Sequence, residues 1–390
     1  MTTFKKYFSG LSFNTFLLTF ASLFADISTE MLYPVLPIFL TQILKVPTSV
    51  VGIVEGIATA TQNIVQGFSG SLADKLQKRK SIALVGYTLA AFSKPLIGLG
   101  TVWQHVLGAR FLDRFGTGVR SAPRDGLIAQ SASEQNRGKA FGLEGIGDNL
   151  GAFIGPVVAA ALLFYFAIPI RWIFYIAIVP GLLAVAMILF IRERHVVIPA
   201  KTKLNASLIK FSSNYWKYIG ITALFGLANF SNAFLILRSR AIGIPLTVTI
   251  LIYACFNLVA AISSFPAGTL SDKLGRKTIL AVSFLILIVT YAGFAFSTNL
   301  FLIGFLFILY GIFSGTYRTV GKALASDFVP PYLRAGAVGW YSTTIGLSGL
   351  IASIVAGNLW TTMSASATFI YGVIFALLAL LFLLPMRFSK

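Results

Sequence analysis

The chain reads as an all-α membrane protein, with twelve transmembrane helices in two pseudo-symmetric six-helix halves. Three observations predict this. The 390 residues are 57% hydrophobic and only 11% charged, whereas soluble domains carry about 25% charged residues. Apolar runs of about 20 residues, the length of one helical crossing, recur along the whole chain. A short glycine–acid pattern after the second run returns after the eighth, at an offset of 198 residues.

Composition also excludes several classes. The net charge of +19 does not point to nucleic acid, because the basic residues fall in short breaks between apolar runs, as in cytoplasmic loops of membrane proteins. Cys255 is the only cysteine, so neither an internal disulfide nor a cysteine metal site is available. Lys5 and Lys6 before an apolar stretch imitate a signal peptide. That stretch runs on to about residue 40, contains Asp26 and Glu30 and lacks a small-residue cleavage site, so it is expected to be an uncleaved first span.

The apolar runs place spans at 13–40, 48–73, 81–100, 104–128, 138–165 and 170–191, then at 216–238, 246–271, 278–297, 300–326, 334–360 and 365–386. Spans four and ten carry the most charge for their apolarity. With the N-terminus inside, the cytoplasmic breaks hold Lys75, Lys78, Arg79 and Lys80, then Arg137 and Lys139, then Lys273, Arg276, Lys277 and Arg334. The opposite breaks hold little beyond Lys45, His105 and Arg171. This bias predicts both termini in the cytoplasm. The longest polar break, 192–215, contains Arg192, Arg194, Lys201, Lys203 and Lys210. It is expected to be a cytoplasmic linker between an N-terminal half, 1–191, and a C-terminal half, 216–390.

Gly70-Ser-Leu-Ala-Asp74-Lys75 recurs as Gly268-Thr-Leu-Ser-Asp272-Lys273. Arg120 and Arg318 share the 198-residue offset, as do Arg124 and Lys322. Two halves built on one plan imply a central site between them. On these residues the chain resembles the major facilitator superfamily, over nearly its full length. The family's inter-helix loop has the form G-x-L-x-D-[RK]-x-G-[RK]-[RK]. Gly268, Leu270, Asp272, Lys273, Gly275, Arg276 and Lys277 match it throughout. The first copy matches at Gly70, Leu72, Asp74, Lys75, Lys78 and Arg79 but has Gln77 in place of the glycine. The resemblance implies that Asp74 and Arg79, with Asp272 and Arg276, hold the cytoplasmic side closed, partly through an acid at a helix N-terminus. The simpler reading is a turn anchor beside a solvated basic run. Arg120 and Arg124, near the cytoplasmic end of span four, join this gating group. Salt bridges to Asp74, Asp125 or Glu134 are the simpler role for them.

Span four concentrates charge. At 100° per residue, Arg110, Asp113, Arg114, Arg120, Arg124 and Asp125 fall within an arc of about 140°, with Gly116 and Gly118 between the arginine pairs. One arginine at mid-bilayer costs about 2.5–3.5 kcal/mol even on the lenient insertion scale, so this face must look into protein or a watery cavity. Arginine grips carboxylate or phosphate with two prongs, which favours an anionic solute. Arg110 and Arg114 are therefore the leading substrate-binding candidates, unless they pair with Asp26, Glu30 or Asp113. Lys94, which precedes Pro95, and Arg318 join them, with Tyr33, Asn229, Asn232, Asn257 and Tyr341 as further polar groups in spans. Arg238 and Arg240 end span seven, and Arg318 and Lys322 lie in span ten with no acidic residue inside the second half's membrane to pair them.

Only Asp272 and Asp327, of the 12 acidic residues, lie after residue 193. The first half thus holds the intramembrane acids. Asp26 and Glu30 share a helix face with Tyr33; Glu55, Glu144 and Asp148 follow in spans two and five. A carboxylic acid in a low-dielectric setting can exchange a proton near neutrality. Asp26, Glu30, Glu55 and Asp148 are the candidates for proton coupling, while Asp113 is expected to neutralise its arginine neighbours. Gly147, Gly151 and Gly155, followed by Pro156, Ala159 and Ala160, let helices approach closely. They also resemble the glycine–proline motif of proton antiporters.

His105 and His195 are the only histidines, and no HExxH, GxSxG or P-loop pattern is present, so neither an intramembrane enzyme nor direct ATP drive is expected. No metal and no cofactor is implied. The expected activity is secondary transport of a small organic anion, such as a polycarboxylate or carboxylate-type chelator, by a proton-coupled monomer in a bacterial cytoplasmic membrane. One alternative is proton-driven export of drug-like or cationic compounds, attracted by Asp26, Glu30 and Asp148. Another is a lipid-moving or receptor role on the same fold.

Overall fold

The computed structural model describes residues 10–76, 78–193, 211–330 and 333–386. Most of the expected linker, including Arg194, His195, Lys201, Lys203 and Lys210, lies outside the described residues, as does Gln77. So do the side chains of Asp74 and Glu134.

Every expected span is helical. Phe13–Glu30 forms span one, followed by Leu36–Ile38 and a π-helical turn Phe39–Ile43. Span two is Thr48–Leu76, span three Arg79–Leu99, span four Trp103–Ser131 and span five Arg137–Phe164. Span six is Ile170–Ile176 with Ile178–Phe190, and span seven is Ser213–Ala228 with Ala233–Ala241. Spans eight to twelve are Leu246–Leu274, Arg276–Phe296, Leu300–Asp327, Arg334–Thr362 and Ala365–Leu383. Among the described residues, nine helical segments are long and apolar enough to cross a membrane by themselves. Spans one, two and four are not among those nine. They carry Asp26, Glu30, Glu55, Asp113 and the arginines of span four, and need protein partners.

Three expectations are corrected. Span one is not continuous over 13–40: its helix stops at Glu30, where Pro34 and Pro37 remove backbone donors from the following turns. Span seven is likewise interrupted between Ala228 and Ala233. This places the two breaks at equivalent positions of the 198-residue repeat. The repeated glycine–acid motif is not a loop, because Gly70–Leu76 and Gly268–Leu274 are the last turns of spans two and eight. In the second copy the turn begins only at Gly275, whose φ of +89° is a conformation that favours glycine.

Contacts divide the chain into two compact units, Met1–Tyr33 with Ile64–Leu204 and Pro34–Asn63 with Asn205–Lys390. In the first unit, span one packs on spans five and six, and span three packs on spans four and six. Glycines set these distances. A Cβ on Gly147, Gly151 or Gly155 would lie 2.6, 2.5 or 2.8 Å from the carbonyl oxygens of Thr19, Leu23 and Ile27 of span one. Spans three and four touch backbone to backbone, since a Cβ on either Gly86 or Gly116 would sit 2.6 Å from the other's carbonyl oxygen.

In the second unit, span ten packs on spans eight and nine, and span twelve on spans seven and nine. Its interior is aromatic: Phe225 stacks on Phe284 with ring centroids 3.7 Å apart, and Phe230 on Tyr291 at 4.8 Å. Residues 48–63 of span two belong here, against span eleven. Cβ atoms on Gly52 and Gly56 would meet the carbonyl oxygens of Ser353 and Leu350 at 2.1 and 3.1 Å.

Candidate functional site

The close crossing of spans three and four brings Lys94 beside the charged face of span four. Lys94 Nζ lies 3.0 Å from Asp113 Oδ1, Arg110 Nη1 donates to Asp113 Oδ2 at 2.8 Å, and Arg114 Nε lies 3.5 Å from the same oxygen. Three cations thus converge on one carboxylate. Arg110 and Asp113 are each 1% exposed and Lys94 2%. Lys94 also donates to the Ala90 carbonyl at 2.8 Å. The Arg110 guanidinium stands 5.7 Å from the centroid of the Tyr33 ring, a cation–π arrangement. Arg114 makes the longest of the three contacts, and its side chain is the least buried, at 11% exposed.

Farther along span four, the glycine contacts of spans one and five set two acids face to face. The carboxyls of Asp26 and Asp148 are close neighbours. Arg120 Nη2 lies 3.7 Å from Asp26 Oδ1, and its guanidinium sits 4.4 Å above the Tyr87 ring. One turn on, Arg124 Nη1 reaches Glu144 Oε1 at 2.9 Å, Ser22 Oγ at 3.0 Å and Asp148 Oδ1 at 3.7 Å. Ser22 Oγ donates to the same Glu144 oxygen at 2.7 Å. The Arg124 fork also holds Asp125 Oδ1, by Nε at 3.2 Å and Nη2 at 3.1 Å. A ladder of cations and acids therefore runs along span four inside the first unit, with Asp148 shared between its lower two rungs.

This arrangement revises several expectations. Arg120 and Arg124, assigned to gating, are bound to the acids assigned to proton coupling, because those acids lie opposite them on spans one and five. Asp113 neutralises its neighbours as expected, and it adds Lys94 from the next helix. Glu30 ends the first helix of span one beside Gly155, and Glu55 is buried in the second unit, 3% exposed. Asn229 and Asn232 flank the break in span seven, and Asn232 Oδ1 accepts from Tyr310 at 2.8 Å. Tyr341 is buried, with its ring stacked on Tyr218 at 6.0 Å. Asn257 is half-buried in span eight. Arg318 is exposed on span ten.

The two arginines that end span seven bind carbonyls. Arg238 donates to Phe294 at 2.9 Å and to Ala295 and Ser297 at 3.3 Å, and Arg240 to Ile244. Arg238 thereby caps the end of span nine, where exposed carbonyls and the dipole favour positive charge. At the other ends, Glu193 accepts from the backbone N–H groups of Arg79 and Lys80, at 2.9 and 3.2 Å. The Arg79 side chain runs over Gly126. Arg276 bridges Asp272 at 3.6 Å and Asp327 at 3.0 Å. The sequence reading missed Ser22 and Tyr87 as members of the ladder. Helical spacing carried a signal for both, four residues before Asp26 and seven before Lys94. Among the described residues, no group of histidine, cysteine, aspartate and glutamate is arranged to hold a metal.

Comparison with known proteins agrees with this architecture. The model of the Major Facilitator Superfamily matches residues 18–237 and 218–389. An uncharacterised transporter of that type from Methanocaldococcus jannaschii is 33% identical over 380 residues, spanning 96% of this chain and 95% of the relative. A probable 4-methylmuconolactone transporter from Cupriavidus pinatubonensis is 26% identical, over 80% of this chain and 75% of its own. The crystal structure of the nucleoside transporter NupG, as its D323A mutant, superposes with a TM-score of 0.77 at 18% identity, covering 95% of this chain and 98% of that one. The chain is a multi-pass membrane protein and belongs to the Major Facilitator Superfamily of transporters.

Proposed function

We propose that the protein carries a small organic anion across a bacterial cytoplasmic membrane, coupled to protons and acting as a monomer. The observation that carries this reading is the meeting of Lys94, Arg110 and Arg114 on the single carboxylate of Asp113. An incoming carboxylate takes over the long Arg114 contact without leaving a buried charge alone, which would cost several kcal/mol. The probable 4-methylmuconolactone transporter among its relatives supports a small organic solute. The neighbouring acids Asp26 and Asp148, with Arg120 and Arg124 beside them, support coupling.

Thermal-shift screening of the purified protein against organic anions, cations and lipids identifies the solute class, and an anion is expected to give the stabilising hit. Arg114→Lys keeps the charge and loses the fork, so affinity for that solute should fall by about tenfold. Equal affinity in the variant would make Arg114 structural. In proteoliposomes with an imposed pH gradient, Asp26→Asn and Asp148→Asn should each abolish gradient-driven flux. Flux by the unsubstituted protein that ignores an uncoupler would remove proton coupling from the reading.

A further inference from the structure

In the lower rungs of the ladder the acids Asp26, Asp125, Glu144 and Asp148 share two guanidiniums, all within the first unit. Every nitrogen of Arg124 is engaged. Its Nε and Nη2 hold Asp125, and its Nη1 lies 2.9 Å from Glu144, 3.0 Å from Ser22 and 3.7 Å from Asp148. Arg120, by contrast, stays on Asp26, and its Nε and Nη1 are buried without a partner, as is the Tyr87 hydroxyl. Glu144 and Asp148 lie one turn apart on span five, where like charges oppose each other. Glutamine at 144 would still accept from Ser22 and Arg124 without that repulsion. Packing alone therefore does not call for the charge. The two acids also differ in access. The Glu144 side chain is 10% exposed and closed round by Ser22 and Arg124, whereas that of Asp148 is 35% exposed. Water reaches Asp148, and Glu144 fixes the shared arginine.

We infer that Glu144 is a positioning residue for proton exchange: its charge keeps Arg124 off Asp148, which is left able to take up a proton. The inference rests on the coupling reading above and adds to it a residue outside the acids assigned to coupling. Asp148 is faced by Asp26 from span one and by Arg124 from span four, with Glu144 on its own helix. Asp125, Arg120, Glu30 and Tyr87 stand one contact farther out. An arginine that closes on a carboxylate favours its ionised form. Without the Glu144 charge, Arg124 moves onto Asp148, which then holds its proton less tightly.

The test uses the full chain in lipid nanodiscs, without solute. It follows the protonated-carboxyl stretch in infrared difference spectra across a pH titration. The component lost in Asp148→Asn reports Asp148. Glu144→Gln should move its half-titration point down by about one pH unit, a tenfold loss of proton affinity. Glu144→Asp keeps the charge and should give back most of that shift. Ser22→Ala loosens Arg124 from Glu144 and should lower the affinity by about threefold; it decides if Glu144→Gln does not fold. An Asp148 titration that Glu144→Gln leaves in place, or that Glu144→Asp moves equally, overturns the positioning role and leaves coupling standing. The absence of any Asp148 component overturns it and removes Asp148 from coupling as well. Titration that shifts as stated, beside flux that ignores an uncoupler, sinks the coupling reading alone.

Discussion

Asp113 holds three cations in a place where water cannot, so its loss should be felt first as instability. Asp113→Asn leaves Lys94 buried without its carboxylate, and removing one partner of a buried ion pair costs about 3–5 kcal/mol. The unfolding midpoint in detergent should fall accordingly. Lys94→Met added to Asp113→Asn should recover part of the loss, because the second substitution removes the stranded charge. Simple addition of the two single effects would show that the pair does not interact. The charged face of span four was legible in the sequence from angular spacing alone. Its partners were not, because Lys94, Asp26, Glu144 and Asp148 lie on other helices and reach span four only through packing. The orphaned donors of Arg120 and Tyr87 are a property of that packing and of nothing local.

At the scale of helices, glycine decides which faces meet. Gly151→Ala would drive a Cβ to 2.5 Å from the Leu23 carbonyl oxygen and 2.8 Å from Asp26 Cβ. It should destabilise by about 1–3 kcal/mol and disturb flux, since the same contact sets Asp26 against Asp148. Gly145→Ala, on the same helix with nothing within 4 Å, should be neutral or stabilising by about 0.5–1 kcal/mol. Thermal unfolding of both variants checks the contrast, and equal effects would mean that packing is not what Gly151 provides. Gly275→Ala tests a different property, the φ of +89° at the end of span eight. Strain there should cost about 1–3 kcal/mol, read as a lowered melting midpoint. The glycine spacing of span five was visible in the sequence, and its packing role on span one is what the structure shows. The contact of Gly52 and Gly56 with span eleven was missed. Period-four small residues mark a helix that packs closely without naming its neighbour.

Across the whole molecule equivalent helix ends of the two halves are capped by basic side chains, though not by residues at the 198-residue offset, and the interiors differ. Lys80 caps span six through the Leu189 carbonyl at 2.8 Å, and Lys277 caps the end of span twelve through Leu384 and Met386 at 2.6 and 2.7 Å. Arg171 caps span three through Gly98 at 2.7 Å, as Arg238 caps span nine. The first unit fills its interior with ion pairs and the second with stacked aromatics. Orientation in the membrane belongs to this scale as well. In a Cys255→Ser background, which removes the exposed native thiol, Thr101→Cys should react with an impermeant maleimide on intact cells. Ser133→Cys should react only in inverted vesicles. The reverse pattern would place the termini outside.

The sequence by itself determined the helical class, the number of spans, the repeat and the positions of charge. Each of these is a one-dimensional property: apolar run length matched to a bilayer, angular period, offset and loop charge. Tertiary structure decided where spans one and seven break and which acid meets which arginine. It also made the acid–arginine ladder a property of one unit. Those outcomes depend on distances between helices far apart in the chain. These distances are fixed by glycine contacts of a few ångströms, such as Gly86 on Gly116 and Gly151 on Leu23. A periodicity identifies the face of a helix that seeks a partner, and only close packing selects the partner.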